Sequence, residues 1–480
     1  MPRTLPSNPN VEHLRKEAKT LLRSFKKGDT SVCDILRYHY RFARASDENI
    51  LKFEVSLQEI QHALALDYGF KSWSELTAHI HSTAQSPLPS HDDTGSAADN
   101  LVIGLMQNAH LARASDLHLE WTNDRLVVRY RVDGCLRDVQ EDIPDGLQIE
   151  IIPSLKRMAN IDTGTGQAQK TGRLVIHVGD TELDVRVSVI PYVGGESAVL
   201  RFVDKGEGMV RLEQVGLTVN NSAILRSWEQ RTDGLFLISG PTGSGKMTTL
   251  YSVLNDMNSE ERKIVTCEDP VEYILEGFSQ HQVDPSRGIT FSTAVSELLS
   301  QDPDVIMIGE IRDLETLNLS VQLTLKGHLV CSSLHSDDAA QGVRRMVDLG
   351  VEPFLLKSKL IGIAAQRLVR RICQDCREEY MPESLPDRYA DDLQGLKLTR
   401  GRGCEKCSNT GYRGRTAIHE LLQMDDRLRN IVASGCDVEE LRRQAVVSGM
   451  IPMVEDGLEK VRQGITTLEE VLRVTLDMPS

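Results

Sequence analysis

The spacing of apolar residues changes character three times along the chain. Val11, Leu14, Ala18, Leu21 and Leu22 recur at helical intervals with Lys and Arg between them, which predicts a helix near the N-terminus. Ser56, followed by Gln58 and Glu59, predicts the start of another. Residues 1–84 therefore read as a helical module. No period survives in HSTAQSPLPSHDDTGSAADN, and its Ser, Pro and Asp content predicts a flexible linker over 85–100.

From Leu101 a short helical pattern gives way to a period of two. Leu126–Arg131 alternates and ends on Asp133-Gly134, the signature of a hairpin turn. Further strands are predicted at Arg173–His177, Leu183–Val189 and Ser197–Val203, so residues 101–205 read as a small α+β domain. Beyond 206 the pattern changes again. LFLISG, KIVTCE, VIMIGE and HLVCSSLH are short apolar runs separated by helical stretches. Strands alternating with helices predict an α/β domain over 206–480, its mainly parallel sheet covered on both faces. The chemistry of such a sheet belongs at the C-terminal ends of its strands.

Composition narrows the function. The chain has 480 residues, with 55 Lys+Arg against 70 Asp+Glu and a formal net charge of −15. An acidic chain lacks the basic face that phosphate backbones require, so no nucleic-acid partner is expected. No apolar run approaches the ~20 residues that span a bilayer, and the N-terminus carries no apolar signal core. The expectation is a cytoplasmic protein with no transmembrane segment.

The most specific chemical signal follows the first strand of the α/β domain. Gly240, Pro241, Thr242, Gly243, Ser244, Gly245 and Lys246 form a glycine loop between a buried strand and a helix that includes Thr248. Glycines let backbone N–H groups turn inward around phosphates, the helix start adds free donors, and the lysine reaches the terminal phosphates. The next position, where a hydroxyl ordinarily ligates Mg²⁺, is Met247. A thioether is a poor ligand for a hard cation. Thr248 lies one residue on and, rotated by ~100°, does not simply take its place.

Glu268 and Asp269 follow one predicted strand, and Glu310 ends the next, with Arg312 and Asp313 behind it. Carboxylates at strand ends beside a phosphate loop suit metal binding and water activation. His328 and His335 bracket a further strand; a single histidine there would pass as structural, but two beside the nucleotide strands suggest phosphate sensing. Cys373, Cys376, Cys404 and Cys407 are spaced C-x2-C-x27-C-x2-C, the pattern of a closed four-thiolate Zn²⁺ site. A redox CxxC pair is the alternative.

The segments ASDLHLE, RYRVDG, GPTGSGK, TCEDPVEY, QDPDVIMIGEIRDLET, GHLVCSSLH, AAQRLVRRIC, GYRGR and EEVLRVT, together with the cysteine pairs, resemble the secretion ATPases that drive type II secretion and type IV pilus assembly. The resemblance runs from about Leu101 to Thr475. It implies a RecA-like motor that binds ATP and Mg²⁺, works as a homo-oligomer (a hexamer), and sits peripherally on the inner membrane against a platform protein. It implies that residues 101–205 pack over the nucleotide and that a zinc-binding insert spans about 371–412. By motif it makes Glu268 the water-polarising glutamate, Glu310 the glutamate that holds Mg²⁺ through water, and His328 and His335 the histidine box. Arg173 and Arg186 resemble the arginines aimed at the phosphates.

The chain departs from the family at Met247 and at Ser296 and Ser300, where arginines are usual. Lys326 and Asp337 also differ, and residues 1–84 stand where the usual docking domain would be. Two functions are thus in contention: a hydrolysing motor, and a weakly or non-hydrolysing nucleotide-binding regulator of that family. The retained carboxylates favour the motor.

Overall fold

The structure is a computed structural model that describes residues 11–38, 41–42, 45–53, 55–73, 75–76, 96–122, 125–141, 143–161, 170–179, 181–192, 195–203, 210–284 and 287–476. It divides into two compact units, Met1–Gly95 and Ser96–Ser480. Most of the predicted linker lies outside the described residues. Its last five residues do not: Ser96 caps a helix over Ala97–Leu111, accepting the Asp99 N–H while Asp99 returns the bond. That reciprocal cap begins the second unit several residues before the apolar pattern does.

The first unit is helical. Helices Val11–Lys26, Ser31–Leu36, Asp47–Ile50 and Leu57–Asp67 enclose Ala18, Phe25, Leu36, Phe42, Ile60 and Leu64. Ser56 and Glu59 form a capping box at the last of these, where the sequence places a helix start.

Among the described residues the second unit holds two large sheets and a two-stranded one. β1 (Ala114–Thr122), β2 (Arg125–Val132), β3 (Cys135–Val139), β4 (Thr171–Val178), β5 (Thr181–Tyr192) and β6 (Gly195–Val203) form an antiparallel sheet in the order β3-β2-β1-β6-β5-β4. Asp133 and Gly134 both have positive φ, so the predicted turn is of the primed type that matches strand twist. Leu117, Leu119, Val185, Val187 and Leu200 pack beneath Val102, Leu105, Ile151 and Leu155 of two helices.

The second sheet has seven strands: β7 (Gly234–Ser239), β8 (Ile264–Glu268), β9 (Ser279–Gln282), β10 (Val305–Ile311), β11 (Leu329–Leu334), β12 (Leu360–Ile372) and β15 (Tyr412–Gln423). Their order is β15-β12-β7-β11-β10-β8-β9, parallel except for β15, which pairs antiparallel with β12. β7, β8 and β11 are buried along their whole length, as helices on both faces require. The order brings the C-terminal ends of β7, β8, β10 and β11 to one rim. Between β12 and β15 the chain makes a small lobe from β13 (Arg377–Tyr380), β14 (Leu398–Gly401) and the helix Asp387–Leu393. Tyr389, Leu393 and Leu398 of the lobe pack on Leu458, Val461, Leu468 and Val471 of the C-terminal helices. Among the described residues, no helix is long and apolar enough to cross a membrane.

Candidate functional site

The rim begins at the glycine loop, which joins β7 to the helix Lys246–Met257. Gly240 has φ +148°, and a Cβ there would stand 2.4 Å from the Gln366 carbonyl oxygen. Gly245 closes the loop at φ +86°. Both positions exclude a side chain, which is why glycines occupy them. Lys246 is buried, and its Nζ donates to the carbonyls of Gly240 (2.8 Å) and Pro241 (3.0 Å). Burial pushes its pKa down to about 8, against the pull of Glu310. The ammonium thus rests on the loop's own carbonyls, beside the cleft.

That cleft, about 440 Å³, is lined by the loop, by Met247 and Thr248, and by Glu268, Asp269, Glu272, Glu310, Arg312 and His335. His335 Nδ1 lies 3.5 Å from Lys246 Nζ, and its Nε2 lies 2.8 Å from Glu310 Oε1. A neutral imidazole protonated on Nε2 satisfies both neighbours, accepting from the ammonium and donating to the carboxylate. Arg312 Nε donates to the other Glu310 oxygen (2.8 Å), and its Nη1 lies 3.7 Å from Asp269 Oδ2. Five charged or titratable groups therefore form one line across the rim.

The structure separates the two histidines. His335 is at the C-terminal end of β11, inside the cleft; His328 precedes the strand at its other end. At ~3.3 Å per residue they stand about 20 Å apart. His328 Nδ1 is 2.8 Å from the Pro303 carbonyl, and it does not line the cleft. Spacing along the chain placed both beside the nucleotide; strand direction leaves only His335 there.

The acidic motif brings two glutamates to the cleft. Glu268, the last residue of β8, is buried and its carboxylate is filled by neutral donors: Tyr251, Thr266 (2.6 Å) and Gln280 (3.1 Å). Four residues on, Glu272 lines the same cleft beside it. Burial raises the Glu272 pKa, opposed by Arg186 and Arg201 and reinforced by Glu268.

Those arginines come from the small sheet. Strand register sets Arg173 opposite Arg186, Arg186 opposite Arg201, and Arg201 opposite Asp116, in one row across β4, β5, β6 and β1. Arg173 is held bidentately by Asp184. Arg201 Nε donates to Asp116 (2.9 Å). A cavity of about 1000 Å³ separates this row from the Pro270–Ile274 loop, with Glu272 on its far wall. Arg173, Arg186 and Arg201 all line that cavity with Glu272, and it is Arg186 and Arg201 whose charges act on the Glu272 carboxylate. Register is long-range information, and nothing local to Arg201 announces it.

Met247 is half-buried and packs against the core beneath the loop, with Leu250 and Leu254 of its own helix. Thr248 is exposed and lines the cleft. Ser300 donates its hydroxyl to the Glu297 carbonyl (2.6 Å), and Asp337 pairs with Arg367 (3.0 Å). Ser296 lies on the helix Phe291–Leu298.

The four predicted cysteines converge in the lobe, their sulfurs all within 4.8 Å of one another. Cys373–Cys404 and Cys376–Cys407 are each 3.9 Å apart and Cys404–Cys407 3.7 Å. A tetrahedral ion with Zn–S bonds of ~2.3 Å sets its sulfurs about 3.8 Å apart. The backbone N–H groups of Cys404 and Gly411 donate to the Cys407 sulfur at 3.2 and 3.3 Å, as they would to a thiolate.

Similarity to known proteins agrees with this geometry. Residues 92–473 match the family model described as "Type II/IV secretion system protein". The chain is 42% identical over 396 residues to the type II secretion system ATPase E of Vibrio cholerae serotype O1, covering 81% of this chain and 78% of that one. It is 40% identical over 417 residues to the type IV pilus assembly ATPase PilB of Thermus thermophilus, covering 85% of this chain but 47% of that one. Among solved structures, the Legionella pneumophila ATPase DotB superposes with a TM-score of 0.58 at 19% identity, covering 82% of this chain and 99% of that one. The pilus retraction motor PilT with bound ADP gives 0.52 at 24%, covering 78% and 97%. The last two establish the fold alone, an α/β RecA-like one. The family match and the identities over four-fifths of the sequence establish descent: the chain belongs to the type II/IV secretion system protein family.

Proposed function

We propose that the protein binds and hydrolyses ATP as a ring-forming motor, a hexamer, that powers type II secretion or type IV pilus assembly against an inner-membrane platform protein from the cytoplasmic face. One observation carries the reading: a glycine loop, a buried lysine, the Glu310–His335 pair and Glu272 open onto one cleft. The phosphates belong in that cleft, with Lys246 leaving the loop carbonyls for them. Behind the loop a second pocket of about 640 Å³, lined by Gly245, Thr248, Arg371 and Arg415, suits ribose and base.

The residues carry distinct roles. His335 holds Glu310 on one side and faces Lys246 on the other, so it reports the position of the lysine to the carboxylate. Glu272 is the carboxylate placed to take a proton from water attacking the terminal phosphate. Glu268, which lines the same cleft, accepts from the Tyr251 hydroxyl that in turn accepts the Glu272 N–H, and so steadies the turn carrying Glu272. Arg186 and Arg201 balance charge on the phosphates when the small domain approaches, as arginine fingers do. For Mg²⁺ the cleft offers oxygen donors on Glu310 and Thr248, with the carboxylates of Glu268, Asp269 and Glu272 beside them, and these would hold a hard cation. Such an ion would neutralise phosphate charge. Cys373, Cys376, Cys404 and Cys407 fit Zn²⁺ in a closed structural site.

Phosphate release by purified full-length variants tests the assignment. Glu272→Gln is expected to lower turnover about 100-fold with nucleotide affinity retained. Glu268→Gln, which keeps an acceptor for the buried donors, should lower it less than tenfold. The reverse order would return the catalytic role to Glu268.

A further inference from the structure

The glycine loop is held from outside by one residue of β12. Gln366 is buried, and its Nε2 donates to the Ser244 carbonyl at 2.7 Å. Its backbone oxygen is the atom that a Cβ on Gly240 would meet at 2.4 Å, and its Nε2 is what a Cβ on Gly245 would meet at 3.2 Å. One residue thus abuts both ends of the loop. The pairing of β12 with β7 ends at Ala365 opposite Ser239, so Gln366 stands where the loop leaves the sheet.

An amide has two faces, and only one suits this place. Turned over, Gln366 would set its own oxygen against the Ser244 carbonyl. What selects the correct face is on the neighbouring strand. His419 of β15 is the register partner of Gln366, so the two side chains leave the same face of the sheet about 5 Å apart. His419 is fully buried and both its ring nitrogens lack a partner, as does Gln366 Oε1, among the described residues. Burial, with Lys460 nearby, keeps the imidazole neutral, its pKa pushed down to about 3. A neutral ring always carries one N–H. An unmet donor and an unmet acceptor therefore stand at paired positions on one face of the sheet, and buried groups of that kind are rarely left unpaired.

We propose that Gln366 is a positioning residue for the glycine loop and that His419, through its ring N–H, directly or across one buried water, fixes the amide with its NH₂ toward Ser244. The loop carbonyl is thereby pinned, and the loop N–H groups keep the orientation that phosphates need. This rests on the nucleotide reading above.

The test is titration of full-length protein with a non-hydrolysable ATP analogue, with the melting temperature recorded for each variant. Gln366→Met removes both polar groups and should weaken binding about five- to tenfold, the scale of one hydrogen bond. Gln366→Glu keeps the shape but presents oxygen to oxygen, and should weaken it further. His419→Leu should reproduce the Gln366→Met effect, and His419→Gln, which retains an N–H donor, should recover most of it. The double variant Gln366→Met/His419→Leu should match Gln366→Met within about twofold, because the two act through one contact. Multiplicative losses in the double variant, unchanged binding by Gln366→Glu, or affinities that simply follow melting temperature would overturn the proposal. If the wild type itself binds no analogue, the nucleotide reading fails and this inference with it; normal wild-type binding with unaffected variants overturns this inference alone.

Discussion

The phosphate cleft and the cysteine lobe are both built at turns, from side chains scattered in sequence, yet they are built oppositely. In the cleft Lys246 and Glu310 have partners they can exchange. Lys246 lies on loop carbonyls that phosphate oxygens can replace, and Glu310 divides its oxygens between His335 and Arg312. In the lobe the four sulfurs lie within 4.8 Å of one another with no position open, and backbone N–H groups already point at Cys407. Exchangeable partners suit a site that cycles through ligand states. A closed set suits one that binds once, on folding. The difference teaches where each region is vulnerable: the cleft in rate, the lobe in stability.

The sharpest way to break that contrast is to open the lobe. Cys404→Ser should abolish stoichiometric zinc, measured by atomic absorption, and lower stability by several kcal/mol, because bound metal contributes directly to folding there. If it kept its zinc and its melting temperature, the lobe would not be a closed metal site. Analogue affinity measured below the new melting temperature should change little by comparison.

The next effect lies in the cleft. Met247→Thr restores a hydroxyl at the first turn of the loop helix, and the Mg²⁺ concentration giving half-maximal turnover should fall up to tenfold. The same change deletes core packing, costing about 1–2 kcal/mol of stability. Unchanged metal dependence would mean that Glu310 and Thr248 already satisfy the cation.

The smallest effect is in pH. The folded-state pKa of Lys246, about 8, lies below its ordinary value of 10.5. A lowered lysine pKa means the charged form is disfavoured in the empty protein. Its cost to stability is present below about pH 8 and is relieved as pH rises toward 10.5. Nucleotide binding needs that charge, so affinity should weaken as pH climbs past 8. Titrations from pH 7 to 9 should show a severalfold loss, and a flat profile would detach Lys246 from the phosphates.

Much of this was legible without coordinates, for reasons that differ by element. The glycine loop is contiguous, and strand–loop–helix order is carried by neighbouring residues. The cysteine pairs announce themselves by spacing. The hairpin at Asp133-Gly134 is a local conformational demand. What escaped depends on direction and register. Glu268 and Glu272 lie four residues apart in one motif, and only the turn after β8 brings both to the cleft while setting Glu268 against Tyr251. His328 and His335 flank one strand, but a strand has two ends and the site occupies one. Arg201 joins Arg186 only through the pairing of β5 with β6. Gln366 carries no signal of chemistry in sequence; its meaning arises where β12 meets the loop.

The central claim is that this cleft breaks the ATP anhydride, and the most direct test is steady-state phosphate release with Mg²⁺ from the full-length protein beside its Glu310→Gln variant, with analogue binding measured on both. The account predicts turnover in the wild type, a loss of about 100-fold or more in the variant, and binding in each. Analogue binding to both proteins with no turnover above the variant's level in the wild type would contradict it.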